Sequence, residues 1–178
     1  MFKELNDLIK ENRISKKPIL KVLKKYARTI TIYDEMAVCN VLRDEGKYVQ
    51  ESYREEFLKM YVDGFIIKLK EMKEDKTPYK NKVDSKDFEE NLKTVKAQYN
   101  RIVNEEKRSD KFPLIYSMIS IYTTFITEEP VHKEGSVFPG GLKVEYIDGT
   151  YYCPVKDNQK DNPNAICKVC IAEQTIGI

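Results

Sequence analysis

The last third of the chain carries the side chains best suited to chemistry: the only histidine, His132, and three of the four cysteines, Cys153, Cys167 and Cys170. Cys167-Lys168-Val169-Cys170 sets two thiols in a C-x-x-C pair, Cys153 closes a hairpin upstream, and His132 lies in the loop before that hairpin, in reach of the same point. Three thiolates and an imidazole suit tetrahedral zinc, with an iron–sulfur cluster as the second fit. Reversible oxidation of Cys167 and Cys170 is a further use of the pair. The spacing C-x13-C-x2-C is less specific than two C-x-x-C knuckles. The plain competing reading makes the three cysteines small apolar core residues and His132 a loop residue. Without His132 as ligand, an open fourth position would admit a metal-bound water, with Glu173 or Glu134 as base.

Turn-rich sequence surrounds these residues. Leu142, Val144 and Tyr146 alternate with Lys143 and Glu145, and Asp148-Gly149 is a two-residue hairpin turn leading into Thr150-Tyr151-Tyr152-Cys153. The polar loop from Lys156 to Asn164 follows, with Asn162 as N-cap and Pro163 as the first residue of a terminal helix or single turn. That arrangement puts Cys167 and Cys170 on one face. A hairpin buries little, so thiolate–metal bonds would account for an ordered tail.

Residues before this segment read as helices. Phe2, Leu5, Leu8 and Ile9 share one stripe. From Pro18, so do Ile19, Leu20, Leu23, Tyr26 and Ala27. Thr29 to Tyr33 is β-branched and strand-like, but Met36, Ala37 and Leu42 continue a helical stripe to a stop at Gly46, which predicts a third helix with Cys39 in its core stripe. A long helix follows from Val49 to Glu74 along Tyr53, Phe57, Tyr61, Phe65, Leu69 and Met72, and Gly64 in its interior marks close packing on a neighbour. A loop around Pro78 leads to a helix capped by Asp84 or Ser85, with Phe88, Leu92, Val95, Tyr99 and Ile102 on its apolar side. The stretch from Pro113 to Ile126 is apolar nearly all round, so it belongs in the middle of a bundle. The expected architecture is mainly α: one overall domain, with a bundle of about six helices over residues 1–127 and a metal-binding hairpin and short helix over residues 128–178 packed on it.

The sequence of 178 residues is 41% hydrophobic and 34% charged with a net charge of +2, a globular balance rather than that of a disordered chain or an obligate polyanion binder. Charge is unevenly spread: +5 over residues 1–111 and −3 over residues 112–178. The first residues hold no uninterrupted apolar run, and no window approaches the ~18 apolar residues of a membrane span, so no membrane association and a cytoplasmic location are expected. In a reducing compartment, clustered thiols are metal ligands or redox groups more often than bridges. Lys16, Lys17, Lys21, Lys24, Lys25 and Arg28 make a basic face that could track phosphates, giving nucleic-acid binding as a further alternative; a solvated face is the plain reading. Arg54, Glu55 and Glu56 read as a solvated first helical turn. The glycine loop from Gly135 to Gly141 matches no nucleotide-binding motif. No catalytic motif is identified, and one histidine cannot supply a di-iron bundle site.

The motifs F-P-G-G at Phe138 to Gly141, Y-Y-C-P at Tyr151 to Pro154, D-N-P at Asp161 to Pro163, the C-x-x-C followed by Gln174, and upstream Y-R-E-E at Tyr53 to Glu56 together resemble an uncharacterised protein family of methanogenic and related archaea. The likeness covers most of the chain and is most specific at the C-terminal end. It implies an archaeal, cytoplasmic protein and assigns no activity. The function expected from the residues is a zinc-holding structural or interaction module with a possible protein partner, its ligands His132, Cys153, Cys167 and Cys170.

Overall fold

In the computed structural model, which describes residues 1–47, 49–105, 110–162 and 165–175, the apolar stripes become six α-helices among those residues: α1 (Phe2–Lys10), α2 (Lys16–Ala27), α3 (Ile32–Gly46), α4 (Glu51–Glu74), α5 (Ser85–Glu105) and α6 (Phe112–Tyr122). After them come β1 (Glu145–Ile147), β2 (Thr150–Cys153) and β3 (Glu173–Gln174). The mainly helical class is as expected, and α6 is the central helix, packing on α2, α3, α4 and α5. Ile115, Met118, Ile119 and Ile121 are buried along it, meeting Leu5, Ile19, Leu23, Leu69, Met72 and Phe88 from the surrounding helices. Its buried hydroxyls need no outside partner: Ser117 donates to the Pro113 carbonyl and Ser120 to that of Tyr116, both at 2.8 Å. Among the described residues, no helix is long and apolar enough to cross a membrane.

The helix ends show how local chemistry sets the boundaries. Thr31 and Asp34 cap α3 reciprocally: Asp34 Oδ2 accepts from the Thr31 N–H at 2.8 Å and its hydroxyl at 2.7 Å, while Thr31 Oγ1 accepts from the Asp34 N–H at 3.3 Å. Asp84 accepts from the Asp87 N–H at 2.8 Å at the start of α5, so of the two expected caps the aspartate serves. Three expectations are corrected. Met36 is 58% exposed and Ala37 is exposed as well, so of the expected stripe Leu42 is buried, joined by Val38, with Cys39 half-buried. A Cβ at Gly64 would meet open space, whereas one at Gly46 would collide with Leu58, so the close approach lies where α3 meets α4. Lys16 also leaves the basic face: its ammonium is buried, donating to the Ile126 carbonyl at 3.0 Å and pairing with Glu128 at 2.9 Å.

That lysine helps shape the exit from the bundle. After α6 the chain makes one π-helical turn (Thr123–Thr127), and Glu128 takes a left-handed φ of 54°. A cation at the carbonyl end of a helix opposes the partial negative charge there. Lys16 holds Glu128, while Lys68 of α4 holds Glu129 at 2.7 Å. The two pairs aim Pro130, Val131 and His132 across the bundle surface.

Beyond this exit, β1 and β2 form the expected hairpin, with Ile147 opposite Thr150. Asp148 and Gly149 have φ values of 48° and 88°, the two positive values a type I′ turn requires. β3 was not expected. It runs parallel to β2, pairing Tyr152 with Glu173 and Cys153 with Gln174, and completes a three-stranded sheet in the order β1-β2-β3. Of the expected terminal helix or single turn, the C-x-x-C stretch makes the single turn, of 3-10 form (Ile166–Lys168). The expected start of that element at Pro163 lies outside the described residues. Phe138, Val144, Cys153 and Ala172 make a small second core, while Val169 belongs to the core of the bundle.

Candidate metal centre

Cys153 ends β2, and the chain turns sharply through the buried Pro154. The turn directs the N–H groups of Val155 and Lys156 at the Cys153 sulfur, which favours its thiolate, but burial outweighs them and pushes the thiol up. Cys167 in the 3-10 turn is pushed up to about 11, by burial first and then by the neighbouring Cys170 and Cys153 thiols, with Lys156 acting the other way. These three sulfurs therefore share one electrostatic environment. All four described cysteines are free thiols.

His132 borders the same cavity from the loop that follows the π-turn. Its ring meets those of Tyr61 and Phe138 edge-on, each at a centroid distance of 5.3 Å. The residue keeps some exposure overall, but its ring is enclosed, and desolvation pushes its pKa down to about 4, leaving a neutral imidazole at neutral pH. His132, Cys153, Cys167 and Cys170 together line one cavity of about 10 Å³, closed by Pro130, Lys156 and Ala172. Sharing a cavity wall is a looser condition than ligation. Among the described residues, no group of three or more His, Cys, Asp or Glu side chains is placed so that it could hold a metal ion. Glu134 and Glu173 are exposed and do not line this cavity, nor does Cys39.

Side chains from distant parts of the chain hold the cysteine segment by its backbone. Lys156 donates to the Cys170 carbonyl at 2.9 Å and to that of Ala172. Thr124, in the π-turn, donates to the Val169 carbonyl at 2.7 Å, and Gln98, buried on α5, to that of Ala165 at 2.8 Å. Gln174 spans the sheet edge, accepting from the Asp157 N–H at 2.9 Å and donating to the Pro154 carbonyl at 3.2 Å. Protein groups thus supply order of the kind the sequence attributed to metal bonds. Of these residues, Gln174 stands in the C-terminal motif, and Gln98 carries a signal of its own as a polar residue on the apolar stripe between Val95 and Ile102.

Several of the other candidates are engaged internally. On α2, besides Lys16, Lys25 pairs with Glu4 at 2.9 Å and Lys24 donates to the Asp75 carbonyl, while Lys17 and Lys21, and Arg28 just after the helix, are exposed. Arg54 donates to the Val49 carbonyl at 3.1 Å, tying the α3–α4 connection, while Glu55 and Glu56 are exposed. In the glycine loop, the N–H groups of Gly135 and Gly141 bond the carbonyls of Val144 and Phe138.

Comparison with known proteins agrees with the resemblance seen in the motifs. A family described as uncharacterized proteins conserved in archaea (DUF2115) matches residues 15–175. A UPF0305 protein of Methanothermobacter thermautotrophicus is 34% identical over 156 residues, covering 88% of this chain and 94% of that relative. A second, from Methanopyrus kandleri, is 30% identical over 128 residues, covering 69% and 84%. One from Methanocaldococcus jannaschii is 27% identical over 156 residues, covering 85% and 91%. No solved structure matches the chain significantly.

Proposed function

The chain belongs to the DUF2115 family of archaeal proteins, and for it we propose a metal-holding role in which His132, Cys153, Cys167 and Cys170 bind one soft divalent ion, zinc foremost, and clamp the C-terminal sheet to the helical bundle. The observation that carries this reading is the meeting of one imidazole and three thiols, from three separated points of the sequence, on the wall of a single small cavity. Three thiols and an imidazole form a donor set that fits zinc. Two features favour the charged state such a site needs. The Val155 and Lys156 N–H groups point at the Cys153 sulfur, and the Lys156 ammonium lowers the cost of a thiolate on Cys153 and Cys167. His132, neutral at physiological pH, offers a lone pair without first losing a proton. Cys153 and Cys167 start as thiols, so uptake releases protons and affinity rises with pH. Closure requires the side chains to converge further on the cavity. The resulting role is structural or interactive, as a rigid platform for a partner.

The test is the zinc and iron content of anaerobically purified protein, in moles per chain. About one zinc, lost in Cys167→Ser and Cys170→Ser, supports the clamp. Several irons with visible absorption would replace it with an iron–sulfur centre. Neither metal, together with a reversible disulfide between Cys167 and Cys170, would make the site a dithiol and overturn the metal reading.

A further inference from the structure

A larger cavity, of about 480 Å³, opens beside the cysteine cluster between the first half of α4 and the C-terminal segment. Its size falls within the ~300–1,000 Å³ of small-molecule sites. Tyr53, Phe57, Tyr61 and Phe65 recur every fourth residue along α4 and make one wall, with Phe112 and Phe138 on others. Packing fixes these rings. Phe57 and Tyr61 lie 4.4 Å apart at 31°, Phe65 and Phe112 stack at 5.9 Å and 7°, and the Tyr53 hydroxyl donates to the Val137 carbonyl. None of the described lining residues is Asp, Glu, Lys or Arg. The polar groups on the wall are neutral ones, among them the side-chain amides of Gln159 and Asn162, bonded to each other at 2.9 Å.

We infer that this cavity is a binding site for an uncharged, planar aromatic small molecule, held between the α4 ring ladder and Phe138, with its polar edge toward the Gln159 and Asn162 amides. Flat ring walls favour offset or edge-to-face contact with another ring. A buried ionised group would find no opposite charge among these residues to offset its desolvation, so phosphorylated and carboxylated ligands are disfavoured. His132 and Cys167 line both this cavity and the cysteine cavity, so an occupant would touch the candidate metal ligands from their far side. The site does not depend on the metal reading, because the ring walls come from α4, α6 and the loop around Phe138, and the C-terminal segment that closes it is held by bonds from Thr124, Gln98 and Lys156.

Two probes sharing a naphthyl and a phenyl ring test it in the full chain: uncharged N-phenyl-1-naphthylamine and its sulfonated counterpart 8-anilino-1-naphthalenesulfonate. The expected result is saturable binding of the neutral probe at one per chain, at least about tenfold tighter than the sulfonate, tenfold being the effect of some 1.4 kcal/mol. Ala165→Phe and Val49→Phe, which put bulk into the cavity, should each weaken the neutral probe by about tenfold or more, a similar step. Met36→Lys, which changes one of the exposed apolar side chains of α3 (Ile32, Tyr33 and Met36), should leave it unchanged. Equal affinity for the two probes, lack of saturation, or loss of binding in Met36→Lys would overturn the site. The probe comparison uses the unaltered protein, so it stands even if a filling variant does not fold. Zinc content measured on the same samples keeps the two proposals apart: probe binding without zinc removes only the metal reading, and zinc without probe binding removes only this one.

Discussion

The α6 core and the cysteine segment satisfy their backbones in opposite ways. In the bundle, carbonyls are paired within each helix, hydroxyls bond back one turn, and stability comes from apolar side chains such as Met118 and Phe88 with no exposure. In the segment around Cys153 to Gln174, regular structure is short, and carbonyl after carbonyl is met by a side chain distant in sequence: Thr124 and Gln98 from the bundle, Lys156 and Gln174 from the segment's two ends. A core of the first kind tolerates change wherever volume is kept. A segment of the second kind depends on single donors, because a buried carbonyl left without its partner costs about 1–3 kcal/mol. Two of the four proposed ligands, Cys167 and Cys170, sit where the backbone is held this way, so their placement rests on a few replaceable bonds.

The contrast is open to breaking. Phe88→Ala should cost the most, about 3–5 kcal/mol, since the ring is fully buried and packs edge-on against Phe125 at 4.9 Å. Urea unfolding followed by helical circular dichroism reads it, and a loss under 1 kcal/mol would show that the bundle core is not where the stability lies. Lys156→Met should cost less, about 1–3 kcal/mol, and act locally by freeing the Cys170 and Ala172 carbonyls. Faster amide hydrogen exchange in peptides covering Cys167 to Thr175, with the helical melt barely moved, is the expected signature; equal acceleration in α6 would instead indicate global loosening.

A pH effect comes next. The Asp75 carboxyl is partly buried, which alone would raise its pKa, but bonds from the Thr77 N–H and from the Tyr122 and Tyr79 hydroxyls hold it below the usual carboxylate range. The unfolded chain then binds this proton more readily than the folded one. Its stabilising contribution is fully present above the ordinary aspartate pKa and is lost as pH falls through the lower folded value. Asp75→Asn should flatten that acid limb of a stability–pH profile, and an unchanged limb would remove Asp75 as a contributor. The smallest effect is a gain: Gly64→Ala should stabilise by up to ~1 kcal/mol, because the helix favours alanine and the new methyl meets open space. A loss there would mean that the face of α4 beside His132 needs the glycine.

Periodicity made the helices legible, and Asp148-Gly149 made the hairpin legible, because a two-residue I′ turn depends on local dihedrals alone. The same reasoning failed where one residue had two plausible fates. Lys16 reads as one more surface lysine and is buried only because the end of α6 arrives beside it; Met36 reads as core beside Leu42 and is exposed because α3 turns Val38 inward with Leu42. β3 is two residues long, too short for any periodic signal, and exists because Cys153 and Gln174 meet.

The candidate site divides along the same line. Composition and spacing alone singled out His132, Cys153, Cys167 and Cys170, since scarce residue types in a C-x-x-C context are visible without a fold. That the four border one cavity, that Lys156 stands among them, and that a ring-walled chamber opens next to it were decided by tertiary structure. These features join residues as far apart in the chain as Tyr53 and Cys167, and no local rule of spacing spans such a distance.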